Sequence, residues 1–97
     1  MTNKNKPVNR ENEIIQELHL LNLTKPNLKL PVKDIYDYFD RIVFYEECIK
    51  LLQKLLEFYE STEEYEKCKI TFDEIKIYKI KLNETKNFEQ DPGYMGE

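Results

Sequence analysis

From Ile35 to Tyr59 the residues Ile35, Tyr38, Ile42, Tyr45, Ile49, Leu52, Leu56 and Tyr59 follow an unbroken three–four spacing. That spacing places all of them on one face of an α-helix, and the two-residue period of a strand does not reproduce it. A second stripe, Phe39, Phe44, Cys48, Leu51, Leu55 and Phe58, flanks the first. A helix that is apolar over so much of its circumference must be covered on two sides, and one partner helix covers only one. The segment predicts a core helix of about 28 residues, roughly 42 Å long. The fold class is all-α, and the spare stripe predicts that copies of the chain pair into an oligomeric helical bundle.

The flanking sequence supplies partners for this helix. Pro31 suits its first turn, and Asp34 would reinforce its amino end. Upstream, Asn9 is placed to cap a short first helix, with Glu11 and Glu13 in its opening turn. Ile14, Ile15, Leu18, Leu20 and Leu21 give that helix one apolar face, ending near Asn22–Thr24. Between the two helices, residues 24–31 (TKPNLKLP) hold Pro26 and Pro31. They exclude a continuous helix and predict an extended strap, pinned to the core by Leu28 and Leu30.

Downstream, Ser61-Thr62-Glu63-Glu64 has the form of a capping box, with Ser61 as the cap of a third helix of about 25 residues. Tyr65, Cys68, Phe72, Ile75, Tyr78 and Leu82 would form its inner face, with Ile70, Ile77 and Ile80 as an apolar strip outside the seam. Fraying is expected over Asn83–Asn87. Residues 70–82 also scan with period two, but a hairpin there needs a turn at Asp73-Glu74, without glycine or asparagine. Turn chemistry favours helix. The expected organisation is a flexible polar tail over 1–8, one helical domain over 9–90 and a flexible tail over 91–97.

Residues 49–82 resemble a single tetratricopeptide repeat. Leu52, Leu55, Leu56 and Tyr59 fill the pattern of the repeat's first helix, and Tyr65, Cys68, Phe72 and Ile75 that of its second. Glu64-Tyr65-Glu66-Lys67-Cys68 is the most similar piece. Leu56 stands where the repeat has a small residue and Ile80 where it has proline, and the 34 residues have no second copy. Such repeats close a core only by stacking, so the resemblance implies a mode of packing for an antiparallel helix pair and no activity.

Charge narrows the partners. Fifteen basic and 19 acidic residues give a net charge of −4. Residues 1–33 carry six basic and three acidic groups, for +3, and residues 34–97 carry nine and 16, for −7. The basic groups at the front are too thin for a nucleic-acid footprint, and the acidic remainder repels phosphate, so direct nucleic-acid binding is disfavoured. No apolar run approaches the roughly 20 residues of a membrane span, and residues 1–10 are polar throughout, so the expected location is cytoplasmic, with no membrane partner.

Catalytic chemistry finds little to use. Two glycines rule out a glycine-rich phosphate loop. Cys48 and Cys68 lack metal-ligand spacing. A chain reversal near Ser61 would also set them about 10 Å apart, beyond disulfide reach, so buried thiols are expected. His19 has no nucleophile motif around it. The carboxylates scatter over a solvated face, where Asp37 and Arg41 can pair at i,i+4. No catalytic residue, metal site or cofactor follows.

Seven tyrosines and five phenylalanines exceed what one helical seam can hide. Aromatic side chains are favoured at protein interfaces, where a large rigid surface orders at little entropic cost. The expected function is therefore a non-catalytic interaction protein, such as a small inhibitor or adaptor, docking acidic, aromatic-bearing helices on a larger protein partner. Asp37, Asp40, Glu47, Glu63 and Glu64, left outside the main seam, are the candidate partner-binding residues. The alternative is a small-molecule or nucleotide-binding protein, with its ligand held between helices of an oligomer.

Overall fold

The computed structural model describes residues 6–90. They form three helices, α1 (Lys6–Leu23), α2 (Ile35–Ser61) and α3 (Tyr65–Gln90). No strand occurs among the described residues, and 70–82 lies inside α3.

Both outer helices lie on α2 and run antiparallel to it. Along α1, Glu11 meets Tyr59 while Leu21 reaches the group formed by Phe44, Tyr45 and Cys48. Along α3, Tyr78 packs edge-on against Phe44, with ring centroids 6.5 Å apart, and meets Tyr45 at 6.2 Å. Ile14, Leu52, Leu55, Tyr59 and Ile75 join all three helices in one buried cluster. The second stripe is thereby covered within the chain: Leu18 and Leu21 pack on the cluster that includes Leu51 and Leu55, and Leu21 with Leu28 of the strap packs on the group of Phe44, Tyr45 and Cys48. Its first residue, Phe39, stays exposed. The inference of pairing between copies from this stripe loses its basis.

Several boundaries differ from expectation for physical reasons. Helix α1 begins at Lys6, so Asn9 lies within it and does not cap it. Pro7, which a first turn tolerates, allows that earlier start. Residues 6–8 are thus helical, while 1–5 and 91–97 of the two expected tails lie outside the described residues. Pro31 stays in the strap, and Asp34 is the cap of α2, accepting a hydrogen bond from the Asp37 amide at 2.8 Å.

The α2–α3 turn is not a capping box. Helix α2 runs through Ser61, whose hydroxyl donates back to the Phe58 carbonyl at 2.7 Å. The Glu64 amide donates to the Tyr59 carbonyl at 2.9 Å and the Glu63 amide to that of Glu60 at 3.2 Å. This is the crossed pair of a Schellman motif, and it places Glu63 at φ 59°, a left-handed conformation that glycine usually occupies. Ser61→Ala should therefore leave the urea midpoint nearly unmoved, whereas Glu63→Gly should stabilise the fold by about 1 kcal/mol. Loss of about 1 kcal/mol in Ser61→Ala would restore the capping-box reading.

Helix α3 keeps its expected inner face at Cys68, Ile75, Tyr78 and Leu82 and departs from it at Tyr65 and Phe72. Cys68, Thr71, Ile75, Tyr78 and Leu82 face α2, with Thr71 and Ile75 buried. Tyr65 and Phe72, expected inside, are exposed. The small Thr71 side chain suits close helix approach, and Phe72 instead lies under the Lys76 ammonium at 5.7 Å. Ile70, Ile77 and Ile80 form the expected outer strip. The helix continues to Gln90 through Asn83–Asn87, where Lys86 lies 3.8 Å from Glu46 of α2. No described helix is long and apolar enough to cross a membrane.

Candidate functional site

Arg41 organises the amino end of α2. It is the basic residue between the two apolar stripes, and its side chain keeps only 9% of its surface exposed. Its Nε donates to Asp37 Oδ1 at 3.2 Å, and its Nη2 lies 3.0 Å from Asp37 Oδ2. The same Nη2 donates to the strap carbonyls of Leu30 at 2.8 Å, Asn27 at 3.1 Å and Pro31 at 3.2 Å. Asp37 also accepts from the Lys33 amide at 3.1 Å. The Arg41 hydrogen bond holds the Asp37 carboxyl below the usual carboxylate range, against the partial burial that opposes it. One guanidinium thus ties the strap down on the first two turns of α2.

An open cavity of about 740 Å³ lies where strap and helix meet. Pro26, Leu30, Pro31 and Val32 give it apolar wall, and Tyr36 stands beside them from α2. Its charged lining is Lys33, Asp34, Asp37, Asp40 and Arg41. Asp40 is exposed and makes no hydrogen bond or ion pair among the described residues.

Beside the cavity, Tyr36, Phe39 and Val43 recur at i, i+3 and i+7 on the outer face of α2, with exposures of 78, 55 and 54%. Asp40, Glu46 and Glu47 accompany them on the same half of the helix, Glu47 weakly paired with Lys50 at 3.5 Å. The remaining half of this face is polar, with Lys50, Gln53, Lys54 and Glu57.

The five sequence-derived candidates do not form one patch. Asp37 is spent inside the chain on Arg41 and Lys33. Asp40 and Glu47 lie near the apolar face. Glu63 and Glu64 lie at the far end of α2, about 30 Å along the axis. There Glu64 accepts from the Thr62 hydroxyl at 2.8 Å and pairs with Lys67 at 3.0 Å, and these bonds, Lys67 first, lower its pKa. Lys67 also lies 3.7 Å from Glu11, which accepts the Tyr59 hydroxyl at 2.7 Å, so this end latches α1 to the hairpin. The expected pairing of Asp37 with Arg41 is present, but the spacing rule behind it says nothing of the three strap carbonyls. An arginine set among core-facing residues was the available signal.

Reactive groups are few here. Burial pushes the Cys48 thiol up to about 11, which keeps it protonated and inert. His19 is exposed on α1. The described residues contain no group of three or more histidine, cysteine or carboxylate side chains able to hold a metal ion. Comparison with protein-family models, curated proteins and solved structures finds no match.

Proposed function

We propose that the chain is a non-catalytic protein–protein interaction module, an inhibitor or adaptor that docks the amino-terminal half of α2 on a larger protein. The observation that carries this reading is the exposed Tyr36–Phe39–Val43 row, an aromatic-bearing apolar face on α2 beside the strap cavity. Anchors at i, i+3 and i+7 are how a helix presents itself to an apolar groove, and a tyrosine beside a phenylalanine suits an interface centre. Asp40, Glu46 and Glu47 alongside favour a basic rim on the partner and would speed association at low salt. With the second stripe covered, a homo-oligomer would use either this face or the exposed Ile70, Ile77 and Ile80 strip of α3. The alternative, a small molecule or nucleotide held between helices, has the strap cavity, whose carboxylates oppose a phosphate, and smaller open cavities of about 390 Å³ along α3, one of them lined by Lys79, Lys86 and Glu46.

The test is affinity capture from the native host with the wild-type chain and a Phe39→Asp/Val43→Asp variant as baits. Both positions are exposed, so the variant should keep the helical circular dichroism of the parent. A specific partner should be held by the wild type and lost by the variant, and salt should slow its association. A partner retained equally by both baits would overturn the docking face. Sedimentation equilibrium at tens of micromolar should give the 11.8 kDa monomer, leaving the face free for a different protein.

A further inference from the structure

We infer that the strap cavity is a recognition pocket for an extended basic segment of the partner, with Arg41 taking a backbone carbonyl and Asp40 a lysine or arginine side chain. This rests on the docking reading above and names the chemistry of the partner at its edge.

The guanidinium carries five N–H donors. Nε serves Asp37, and the two hydrogens of Nη2 are shared among Asp37 and three strap carbonyls. Nη1 has no acceptor among the described residues, although the side chain is about nine-tenths buried and lines the cavity. Arg41 lines the open cavity, so an acceptor entering it can take the Nη1 donors that the chain itself leaves unused.

The lining decides which acceptor. Three carboxylates, Asp34, Asp37 and Asp40, stand against Lys33 and Arg41. An added carboxylate or phosphate would raise the negative charge there, whereas a neutral carbonyl would not. Arg41 already holds three peptide carbonyls of the strap, so a peptide oxygen matches what this group binds. The apolar wall suits an extended chain. Asp40, unpaired among the described residues, supplies a counter-ion, and the exposed Tyr36 ring offers a face to the same cation.

The experiment titrates the isotopically labelled full chain with a blocked acetyl-Gly-Arg-Gly-amide peptide, followed by NMR, beside its glutamate counterpart and sodium acetate. The arginine peptide should give saturable shifts at the Arg41 side-chain N–H groups and at backbone amides between Asn27 and Arg41. Asp40→Asn, which breaks no contact among the described residues, should weaken that binding about tenfold. Tighter binding of acetate or the glutamate peptide, shifts spread over the whole chain, no saturation by any probe, or no effect of Asp40→Asn would each overturn the pocket. Failure here with partner loss in the Phe39→Asp/Val43→Asp variant leaves the docking face standing. Peptide binding without that partner loss overturns the face instead.

Discussion

Arg41→Met should lower the stability of the fold by about 3–5 kcal/mol, read as a shift of the urea midpoint, because it breaks one side of a buried pair. The methionine fills most of the arginine's volume, so little of the loss comes from packing. What disappears is the donor set: Asp37 keeps only the Lys33 amide, and the carbonyls of Asn27, Leu30 and Pro31 lose their shared partner. Arg41→Lys should recover only part of the loss, since one ammonium cannot reproduce the planar fork. The pH dependence has a definite sign. The Asp37 carboxyl is held below its ordinary value in the folded chain, first by the Arg41 hydrogen bond. Its stabilisation is therefore fully present above the unfolded value of about 3.9 and is lost as pH falls through the lower folded value. Arg41→Met should flatten that acid limb. An unchanged midpoint together with an unchanged acid limb would show that the strap is held by Leu28 and its neighbours alone.

The parts of this fold legible in the sequence are those set by long periodicity. Eight residues in three–four spacing fixed the axis and core face of α2, and most of that row is buried or half-buried. Ile35 stays exposed at the first turn, where the strap is held instead on the side of Asp37 and Arg41. Local signals did less well. Ser61-Thr62-Glu63-Glu64 satisfies the capping-box pattern, yet the backbone chose a Schellman turn with a glutamate in the left-handed position, and no glycine marked it. On α3, Thr71, a residue that hydropathy does not place inside, is buried, while its neighbour Phe72 is exposed. The covering of the second stripe depended on α1 and on Leu28 folding back over α2, a long-range event invisible to spacing. The same holds for the site. Carboxylates could be picked out from the sequence, but only the fold shows that Asp37 is consumed internally while Asp40 is exposed beside the cavity.

Leu52→Ala should cost about 2–5 kcal/mol, and Leu56→Ala distinctly less, although the two look equivalent in the sequence row. Leu52 is buried in the cluster that joins Ile14 of α1 and Ile75 of α3, whereas Leu56 is only half-buried at its edge. Truncating Leu52 leaves a cavity where three helices meet, and none can close it without losing contact with another. Solvent already reaches Leu56, so its removal forfeits less transfer energy and leaves less void. The urea midpoints give the order directly, and hydrogen exchange shows how the loss is shared. Since α1 and α3 both rest on α2 around Leu52, protection in both outer helices should fall together in Leu52→Ala. Equal costs for the two leucines would mean that α1 does not seat on α2 near Leu52. Early loss of α1 protection alone would mean that the Tyr59–Glu11–Lys67 latch, and not the shared cluster, decides whether α1 stays bound.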